Sequence, residues 1–464
     1  MTEALWTAQD IATATGGRFE SAFSVQGVSI DTRTVEVGDL FVALAGARDG
    51  HDFIAQALEK GASGALASKP SPGHSVQVAD TFEALEALGL AARVRAPQAR
   101  RGAVTGSVGK TSVTQAIRAG IALAGRSHSS VKSYNNHIGV PLTLARMPRD
   151  TERAIFEIGM NHADEITPLS KMVAPHAAAI TTVGPVHVEN FPDGERGVAK
   201  AKAEIFHGMS PGGIAVLNAD NPWFEFLSSE AGKAGLHVQA FGTSSDCAAQ
   251  LVSFKPEVGY AQVRARLHGR ALDFPIRQTG FHWGPNSMAV LLMLEALDVS
   301  LEHSLEALAA FQPLEGRGAE RQVNLAGGPF TLVDESYNAN PISMSAAFAS
   351  LGARAARGRR IVALTDMLEL GLEGPNYHAA LVEPLCAADI DLVFCAGPLM
   401  KSLWDALPST RRGGYALSAV DLAPQIAQVV EPGDLVMVKG SNGSRAGVVA
   451  TALGALDRGP EGKR

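Results

Sequence analysis

Cysteine is scarce in this sequence, which contains only Cys247, Cys386 and Cys395 among its 464 residues. No two of them form a Cys-x-x-Cys pair, the spacing typical of zinc and redox sites. Disulfides are rare in the reducing cytoplasm, where small numbers of scattered cysteines pack as ordinary apolar side chains. We therefore expect buried, reduced thiols in a cytoplasmic protein.

Three further absences exclude whole classes of protein. No apolar run has the length of a membrane-spanning helix, and the N-terminus has acidic residues but not the long apolar core of a signal peptide. Lys and Arg form no basic block and the net charge is −7, so a nucleic acid is not an expected partner. The composition, 46% hydrophobic and 19% charged, is that of a globular protein, and the length of 464 residues corresponds to roughly three domains.

The order of apolar and helical segments predicts an α/β protein of three domains. Residues 1–99 mix short strands and helices and form a small N-terminal domain. In residues 100–316, short apolar runs alternate with helical stretches, which is typical of a parallel sheet covered by helices, as in P-loop ATPases. Residues 317–464 repeat this style and predict a Rossmann-like domain, with a glycine- and charge-rich hinge at 313–323.

The segment AVTGSVGKTSVTQAI, residues 103–117, is typical of a loop that holds nucleotide phosphates. A strand-like lead precedes it and a helix follows, so backbone N–H groups and the helix N-terminus face an anion. Lys110 would reach the β and γ oxygens, and the Thr111 hydroxyl would hold Mg²⁺. Walker's pattern wants glycine where Val104 stands. The predicted binding loop comprises Thr105, Gly106, Ser107, Val108, Gly109, Lys110, Thr111 and Ser112.

Two residues at predicted strand ends are candidates for the metal site. Glu157 lies near the end of the predicted strand AIFEI, and buried acidic residues are rare unless they are paired or bind a metal. A structural ion pair is the alternative. His187 follows the next strand and a Gly-Pro turn. It could equally be a packed or solvated histidine.

The segment ERGVAKAKAEIFHGM is predicted to be a helix, and Lys202 lies on the apolar face of this helix. It shares a face with Val198, Ile205 and Phe206, whereas Lys200 shares its face with charged residues. A buried lysine loses its proton easily and becomes chemically usable. The alternative is a lysine whose charged end extends to solvent.

These motifs resemble the Mur ligases of peptidoglycan assembly, a family in which TGxxGKT replaces Walker's loop. The similarity covers nearly the whole chain, and N-terminal SIDTR, GDLFVAL and DGHDF resemble a UDP-sugar domain of the family. Further matching segments are NNHIGVPLTL (135–144), FEIGMNHADEI (156–166), GPVHVENF (184–191), DESYNANPISM (334–344), DMLELG (366–371) and VKGS (438–441).

The resemblance implies an ATP- and Mg²⁺-dependent enzyme that joins D-alanyl-D-alanine to UDP-N-acetylmuramoyl-tripeptide through an acyl phosphate. This reaction supplies peptidoglycan precursors for the bacterial cell wall, and hence for cell shape and division. The resemblance makes Lys110, Lys202, His187 and Glu157 catalytic, with a carbamylated Lys202 in the metal site beside Thr111. It also implies nucleotide contacts by Asn286, Arg317 and Asp334, and substrate contacts by Asp31, Arg33, Asn135, Asn136, Tyr337, Asn338 and Asn340.

Some positions depart from the family pattern. Trp283 stands where asparagine is expected, and Gly284 and Pro285 stiffen the approach to Asn286. Glu335 and Thr365 replace commoner aspartate and glycine, and Thr181–Val183 differ from TNV. Two alternative functions remain compatible with the sequence: another amino-acid-adding Mur ligase, and a regulatory P-loop nucleotidase. The sequence does not determine whether the third residue of the acceptor peptide is diaminopimelate or lysine. We expect the protein to be a monomer.

Overall fold

Three β-sheets, each built from one stretch of the chain, organise the computed structural model of this protein. The structure describes residues 4–130, 134–257 and 259–459. The first three and last five residues of the chain therefore lie outside the described ranges, as do residues 131–133 and 258. A fourth, two-stranded ribbon pairs Trp6–Thr7 with Ser24–Val25. The predicted α/β class is confirmed.

The first sheet has the strand order β2-β7-β6-β5-β4, and all its pairings except β2–β7 are parallel. A 3₁₀ turn at Gly50–Phe53 precedes helix α2, and Gly61 follows shortly after its end. The elements of this part are β1 Trp6–Thr7, α1 Ala8–Thr15, β2 Arg18–Phe19, β3 Ser24–Val25, β4 Gly27–Ser29, β5 Asp39–Val42, α2 Ile54–Glu59, β6 Gly64–Ala67, β7 Ser75–Gln77 and α3 Thr81–Arg95.

The second sheet has nine strands in the order β16-β15-β14-β13-β12-β11-β8-β10-β9. Strands β8–β14 pair in parallel, as predicted, but β14–β16 form an antiparallel meander at one edge. Its elements are β8 Arg100–Thr105, α4 Lys110–Leu123, β9 Ser127–Ser129, α5 Gly139–Ala145, β10 Arg153–Glu157, α6 Ile166–Val173, β11 Ala177–Ile180, α7 Glu195–Ala203, β12 Ile214–Asn218, α8 Phe224–Lys233, β13 His237–Gly242, β14 Ala249–Glu257, β15 Tyr260–Leu267, β16 Arg270–Ile276, α9 Trp283–Ala296 and α10 Leu301–Ala310.

The third sheet has the order β17-β18-β22-β19-β20-β21, parallel except for the edge strand β17. The buried strands β18, β19, β20 and β22 alternate with helices, as predicted for a Rossmann-like domain. The elements are β17 Ala319–Leu325, β18 Gly328–Glu335, α11 Pro341–Gly352, β19 Arg360–Thr365, α12 Gly374–Ala379, α13 Val382–Ala387, β20 Leu392–Ala396, α14 Met400–Ala406, β21 Arg412–Ala416, α15 Ala419–Ala427, β22 Leu435–Lys439 and α16 Gly447–Gly454.

The first two sheets share a hydrophobic core, whereas the third has its own. One buried cluster runs continuously from Trp6 in the N-terminal part to Leu236 in the central part. The indole of Trp6 donates a hydrogen bond of 2.8 Å to the carbonyl of Ala145, and the Arg95 guanidinium lies 3.5 Å from the indole ring centroid. The two core clusters around the third sheet contain residues of that part alone. Within the described residues, no buried hydrophobic cluster joins the third part to the other two.

The three cysteines are all free, in partial agreement with the sequence analysis. Cys247 and Cys395 are buried as expected, and burial raises the pKa of both thiols. Cys386 is only half-buried, because it lies near the end of the short helix α13, whose buried residue is Leu385. In the part of the chain that the structure describes, no helix is long and apolar enough to cross a membrane.

Candidate functional site

The loop between β8 and α4 has the backbone of a phosphate cradle. Strand β8 ends at Thr105, and helix α4 begins at Lys110. Gly106 and Gly109 have φ values of +149° and +87°, a region that favours glycine. A Cβ atom on Gly106 would also collide with the side chain of Thr181. Both glycines are therefore required by the shape of the loop.

Hydrogen bonds to the loop after β11 fix the cradle from below. The Ser107 hydroxyl donates to the carbonyl of Gly184 at 3.1 Å and accepts from its N–H at 3.0 Å. The Thr181 hydroxyl donates to the carbonyl of Val108 at 2.5 Å. These side chains are buried, so their hydrogen bonds hold the phosphate loop against the segment that follows β11.

Lys110 folds back over the loop, where its ammonium donates a hydrogen bond of 2.6 Å to the carbonyl of Gly106. Burial lowers the pKa of Lys110, the nearby Glu157 carboxylate opposes this, and the Arg317 cation lowers it further. The side chain is thus a cation held in a partly dehydrated place, where its attraction to an anion is stronger than in water.

A cavity of about 500 Å³ opens above the loop, between the central and third parts. The volume and the mixture of apolar and polar walls are typical of sites for small molecules. Carboxyl ends of parallel strands from both sheets line it, as expected for open α/β sheets. The predicted site residues in its wall are Ser107, Val108, Gly109, Lys110, Thr111, Ser112, Asn135, Glu157, Asn286, Arg317, Tyr337, Asn338 and Asn340.

Glu157 presents an unsatisfied carboxylate oxygen to this region. The residue is 1% exposed, and its Oε1 accepts a hydrogen bond of 2.7 Å from the Asn135 amide. Its buried Oε2 has no hydrogen-bond partner within the described residues. Burial of an unpaired carboxylate oxygen is unfavourable, and a cation would satisfy it. With the hydroxyl of Thr111 in the same cavity wall, the donors are the hard oxygens that Mg²⁺ prefers.

His187 lies apart from the residues that line the cavity. It follows β11 in a left-handed backbone conformation, and its Nδ1 donates to Glu369 Oε2 at 2.7 Å. This hydrogen bond lowers the pKa of the Glu369 carboxyl. Across residues 4–130, 134–257 and 259–459, no three His, Cys, Asp or Glu side chains converge on a metal position. The structure thus does not bring His187 and Glu157 together with a third such ligand.

Lys202 is buried inside the protein, as its helical face predicts. The predicted helix is α7 followed by a 3₁₀ turn at Glu204–Gly208, and Lys202 is 3% exposed. Burial holds the pKa of Lys202 well below its ordinary value, and the positive charge of Lys110 lowers it further. Lys200 forms a 2.6 Å ion pair with Asp193 at the surface. The solvent-extended alternative for Lys202 is therefore wrong.

The third part of the chain contributes Arg317 and the Tyr337–Asn340 segment to the cavity. Arg317 donates a hydrogen bond of 3.2 Å to the Thr111 hydroxyl. Its guanidinium also lies 4.0 Å from the centroid of the Tyr337 ring. One residue thus joins the nucleotide loop to the third part.

Asp334 does not line the cavity, contrary to the predicted nucleotide contact. Neighbouring side chains alternate across a strand, so Glu335 lines the cavity and Asp334 lines a separate groove with Arg321. The Asp334 carboxylate instead accepts the N–H of Ser336 at 3.1 Å. Glu335 pairs with the buried Lys439 at 3.3 Å. The sequence analysis names Glu335 only as a departure from the family pattern and Lys439 only as part of the segment VKGS, and it assigns neither of them to the site.

Asn286 lies in the first turn of α9, directly over the phosphate loop. A Cβ atom on Gly109 would approach its Oδ1 to 3.3 Å. Trp283 is 2% exposed and packs against Phe311 with ring centroids 5.6 Å apart, so it lies in the core rather than in the cavity wall. His282 does line the cavity, and burial lowers its pKa. The unusual tryptophan therefore leaves Asn286 in the cavity wall.

The remaining predicted substrate residues occupy different environments. Asn136 caps α5, since its Oδ1 accepts the N–H of Gly139 at 2.9 Å. Asn340 caps α11 in the same way, and its buried Nδ2 has no hydrogen-bond partner within the described residues. Asp31 and Arg33 form a 2.6 Å ion pair on the first part, where the Arg33 side chain is 85% exposed. They lie outside the cavity wall.

Three models of the Mur ligases match consecutive stretches of the chain. They are described as the family's catalytic domain at residues 24–107, its middle domain at 104–294 and its glutamate ligase domain at 321–442. The chain is 32% identical to the UDP-N-acetylmuramoyl-tripeptide–D-alanyl-D-alanine ligase of Rickettsia prowazekii, over 95% of this chain and 97% of that one. The Escherichia coli enzyme of the same name is 34% identical over 81% and 82% of the two chains.

Two solved structures are similar to this chain over most of its length. The structure of MurF from Acinetobacter baumannii has a TM-score of 0.84 and 26% identity, covering 97% of this chain and 99% of that chain. MurF ligase from Thermotoga maritima, solved in complex with ADP, has a TM-score of 0.78 and 23% identity, covering 93% and 98%. The second likeness concerns the fold alone.

Proposed function

This chain belongs to the Mur ligase family, and we propose that it joins D-alanyl-D-alanine to UDP-N-acetylmuramoyl-tripeptide with conversion of ATP to ADP and phosphate. It is an ATP-dependent amide ligase of peptidoglycan precursor synthesis. The observation that carries the proposal is the single cavity in which the phosphate loop meets Arg317 and the segment Tyr337–Asn340. A nucleotide held by the loop would have its terminal phosphate beside residues of the third domain.

The chemistry requires ATP because a carboxylate carbon is a poor electrophile. A terminal carboxylate oxygen of the tripeptide attacks the γ-phosphorus, the bond from that phosphorus to the bridging oxygen breaks, and ADP leaves. The amine of D-alanyl-D-alanine then attacks the acyl carbon. The tetrahedral intermediate expels phosphate, and the amine nitrogen gives up a proton. An amide and free phosphate result.

Lys110 and the amides of its loop provide the electrostatic part of catalysis. Negative charge grows on the phosphoryl oxygens as they transfer, and a preorganised cation stabilises that charge more than it stabilises the ground state. The bond from Lys110 to Gly106 holds the ammonium over the cradle in advance. Arg317 supplies a second cation from the third domain, so that domain closure brings further charge to the nucleotide.

We propose that the metal is Mg²⁺ and that Thr111 and Glu157 hold it, with His187 at the outer end of the metal site. The unsatisfied Oε2 of Glu157 and the hydroxyl of Thr111 fit this hard cation. When bound, Mg²⁺ neutralises charge on the phosphate oxygens. His187 would reach it only with a change in the arrangement described above, because it now pairs with Glu369.

We propose that Lys202 becomes carbamylated. The burial that depresses its pKa favours the neutral amine, which adds CO₂ to give a carbamate anion and releases one proton. A cationic ammonium would repel Lys110 in this place, whereas a carbamate would attract it and could bind a metal. The modification thus converts an electrostatic conflict between two lysines into an ion pair.

The substrates divide among three domains in this proposal. Residues 1–99 would bind the UDP-sugar, with Asp31 and Arg33 near its uridine end. Residues 100–316 bind ATP, with Asn286 at the adenine, and residues 317–464 complete the site. Asn135, Asn136, Tyr337, Asn338 and Asn340 are the proposed contacts of the reacting peptides. We propose a cytoplasmic monomer, since its nucleotide substrates are cytoplasmic metabolites.

A coupled ADP-release assay tests the function. The purified protein is offered ATP with UDP-N-acetylmuramoyl-tripeptides that end in diaminopimelate or lysine, and with a panel of amino acids and dipeptides. Rapid ADP release only with a tripeptide and D-alanyl-D-alanine together is expected. Release with a single amino acid would indicate another member of the family, and release with ATP alone would indicate a regulatory nucleotidase.

A further inference from the structure

One side chain of the third domain fills the space beside a glycine of the central domain. Gly184 lies in the loop after β11 and is buried. A Cβ atom there would collide with Cδ1 of Ile342 and lie 3.3 Å from its Cγ1, and apart from its chain neighbours no other described residue has an atom within 4 Å of that position. The φ of Gly184 is not positive, so the backbone would accept another residue. The space that this glycine leaves is therefore used by Ile342 alone.

Gly184 also supports the phosphate loop. Its carbonyl accepts a hydrogen bond of 3.1 Å from the Ser107 hydroxyl, and its N–H donates to the same hydroxyl at 3.0 Å. On the other side of the loop, the Asn221 amide donates to the carbonyl of Val183 at 2.9 Å. The backbone of Gly184 is thus held within the central domain, and Ile342 rests on a support that is bonded directly to the phosphate loop.

Helix α11 fixes Ile342 in its first turn. The Asn340 Oδ1 accepts the N–H of Ser343 at 2.9 Å, and the Ser343 hydroxyl accepts the N–H of Asn340 at 3.0 Å, which closes a capping box around the start of the helix. Ile342 is 38% exposed and belongs to neither of the buried clusters around the third sheet. Its side chain therefore packs on the central domain rather than in the core of its own domain.

A second contact docks the other end of α11 on the central domain. The Ser350 hydroxyl accepts the N–H of Phe281 at 2.9 Å, shortly before the helix that contains Asn286. At a rise of about 1.5 Å per residue, Ser350 lies about 12 Å along α11 from Ile342. Between these two contacts the helix lines the nucleotide cavity with Ser343, Ala346 and Ala347. Docking of α11 thus forms one wall of the cavity.

We propose that Ile342 is a positioning residue, which docks the third domain on Gly184 and thereby couples domain docking to nucleotide binding. A nucleotide that binds the docked arrangement more tightly stabilises it, and by linkage any contact that stabilises this arrangement raises the affinity for the nucleotide. Ile342 acts through the support of the phosphate loop and not on a reacting atom. This inference rests on the nucleotide site of the proposed function but not on its peptide substrates.

The test moves one methyl group across the contact. Gly184→Ala adds a Cβ where Cδ1 of Ile342 lies, Ile342→Val removes that Cδ1, and the double variant keeps the total number of side-chain carbon atoms. Gly232→Ala in α8 is the matched control, because a Cβ atom there meets nothing within 4 Å. Val420→Ala is the control in the third domain, since Val420 is 50% exposed on α15.

Binding of the non-hydrolysable ATP analogue AMP-PNP with Mg²⁺ is measured by isothermal titration calorimetry. Small-angle scattering gives the radius of gyration of each bound variant, and urea titrations give its stability. We expect Gly184→Ala to weaken AMP-PNP binding at least about fivefold and to increase the radius of gyration, with little change in stability. Ile342→Val should have a smaller effect, the double variant should bind more tightly than Gly184→Ala alone, and both controls should match the wild type.

The double variant separates docking from direct damage to the phosphate loop, because a change in the third domain would not relieve such damage. If Gly184→Ala binds AMP-PNP as tightly as the wild type, or if Ile342→Val does not improve its binding, the inference is wrong. Should Gly184→Ala fail to fold, Ile342→Ala takes its place, and wild-type affinity in that variant would overturn the inference. Ligation assays on the wild type test the proposed function separately, because neither binding nor scattering uses the peptide substrates.

Discussion

The guanidinium of Arg317 donates a hydrogen bond of 3.2 Å to the hydroxyl of Thr111, across the boundary between the third domain and the nucleotide loop. Thr111 is the residue expected at the metal, so the contact places a third-domain cation at the phosphate end of the cavity. The same guanidinium lies over the ring of Tyr337, in the segment proposed to contact the peptides. One side chain thus contacts both the phosphate loop and the segment proposed to bind the peptides.

We expect ATP to make the protein more compact, and we expect Arg317→Ala to weaken this compaction. The loss of both the Thr111 contact and the charge removes a reason for the third domain to close on the nucleotide. Small-angle scattering with saturating ATP and both peptide substrates should show a smaller decrease in the radius of gyration than in wild type. An identical scattering change in the two proteins would contradict this role.

Lys110→Ala should abolish turnover and leave the protein folded. The variant loses the cation that is held over the loop, and such charges commonly contribute several kcal/mol to the stabilisation of a transition state. Lys200→Ala is the matched control, because Lys200 makes only a surface ion pair with Asp193. Retention of more than a tenth of the rate, a difference of about 1.4 kcal/mol, would show that Lys110 is not catalytic.

Asn340 allows the structural and the binding role of one side chain to be separated. Asn340→Ala removes the cap of α11 and should lower the free energy of unfolding by about 1 kcal/mol. Asn340→Asp keeps a capping oxygen but loses the buried amide donor, which has no hydrogen-bond partner among the residues that the structure describes. The aspartate variant should therefore retain its stability in urea titrations and lose at least about tenfold in kcat/KM for the peptide substrates, or about 1.4 kcal/mol. Wild-type kcat/KM in Asn340→Asp would mean that the amide serves only the helix.

Lys202 should be sensitive to substitution in a way that only a carbamate explains. Lys202→Ala and Lys202→Arg should both be nearly inactive, because arginine keeps its charge and cannot add CO₂. Acetate or formate should partly rescue the alanine variant by supplying an anion, and should not rescue the arginine variant. In ¹³C-bicarbonate buffer, the wild type should show a carbamate signal that Lys202→Ala lacks. An active arginine variant would contradict the carbamate.

Local patterns in the sequence were sufficient to predict much of the fold. Strands buried on both faces, such as Leu435–Lys439, are continuous apolar runs, and the alternation of such runs with helical stretches predicts the parallel sheets. The edge strands Ala319–Leu325 and Arg412–Ala416 were missed because one is rich in polar residues and the other contains two glycines. Edge strands bury only part of their surface, so their sequences carry a weaker signal.

The site was predictable where one segment determines its geometry. The phosphate loop and the inward face of Lys202 depend on neighbouring residues, and the structure has the expected loop and burial. Whether Asp334 or Glu335 lines the cavity depends on the register of one strand, because a shift by one residue turns each side chain to the opposite face of the sheet. The pairing of His187 with Glu369 depends on the docking of two domains, which no local pattern encodes.

Transfer of a carboxylate oxygen to phosphate tests the central claim most directly. UDP-N-acetylmuramoyl-tripeptide labelled with ¹⁸O in its terminal carboxylate is incubated with ATP, D-alanyl-D-alanine and the protein, and the products are analysed by mass spectrometry. The account predicts the pentapeptide product together with phosphate that carries one labelled oxygen per amide formed. Absence of the pentapeptide would contradict the ligase function, and pentapeptide with unlabelled phosphate would contradict carboxylate attack on the γ-phosphorus.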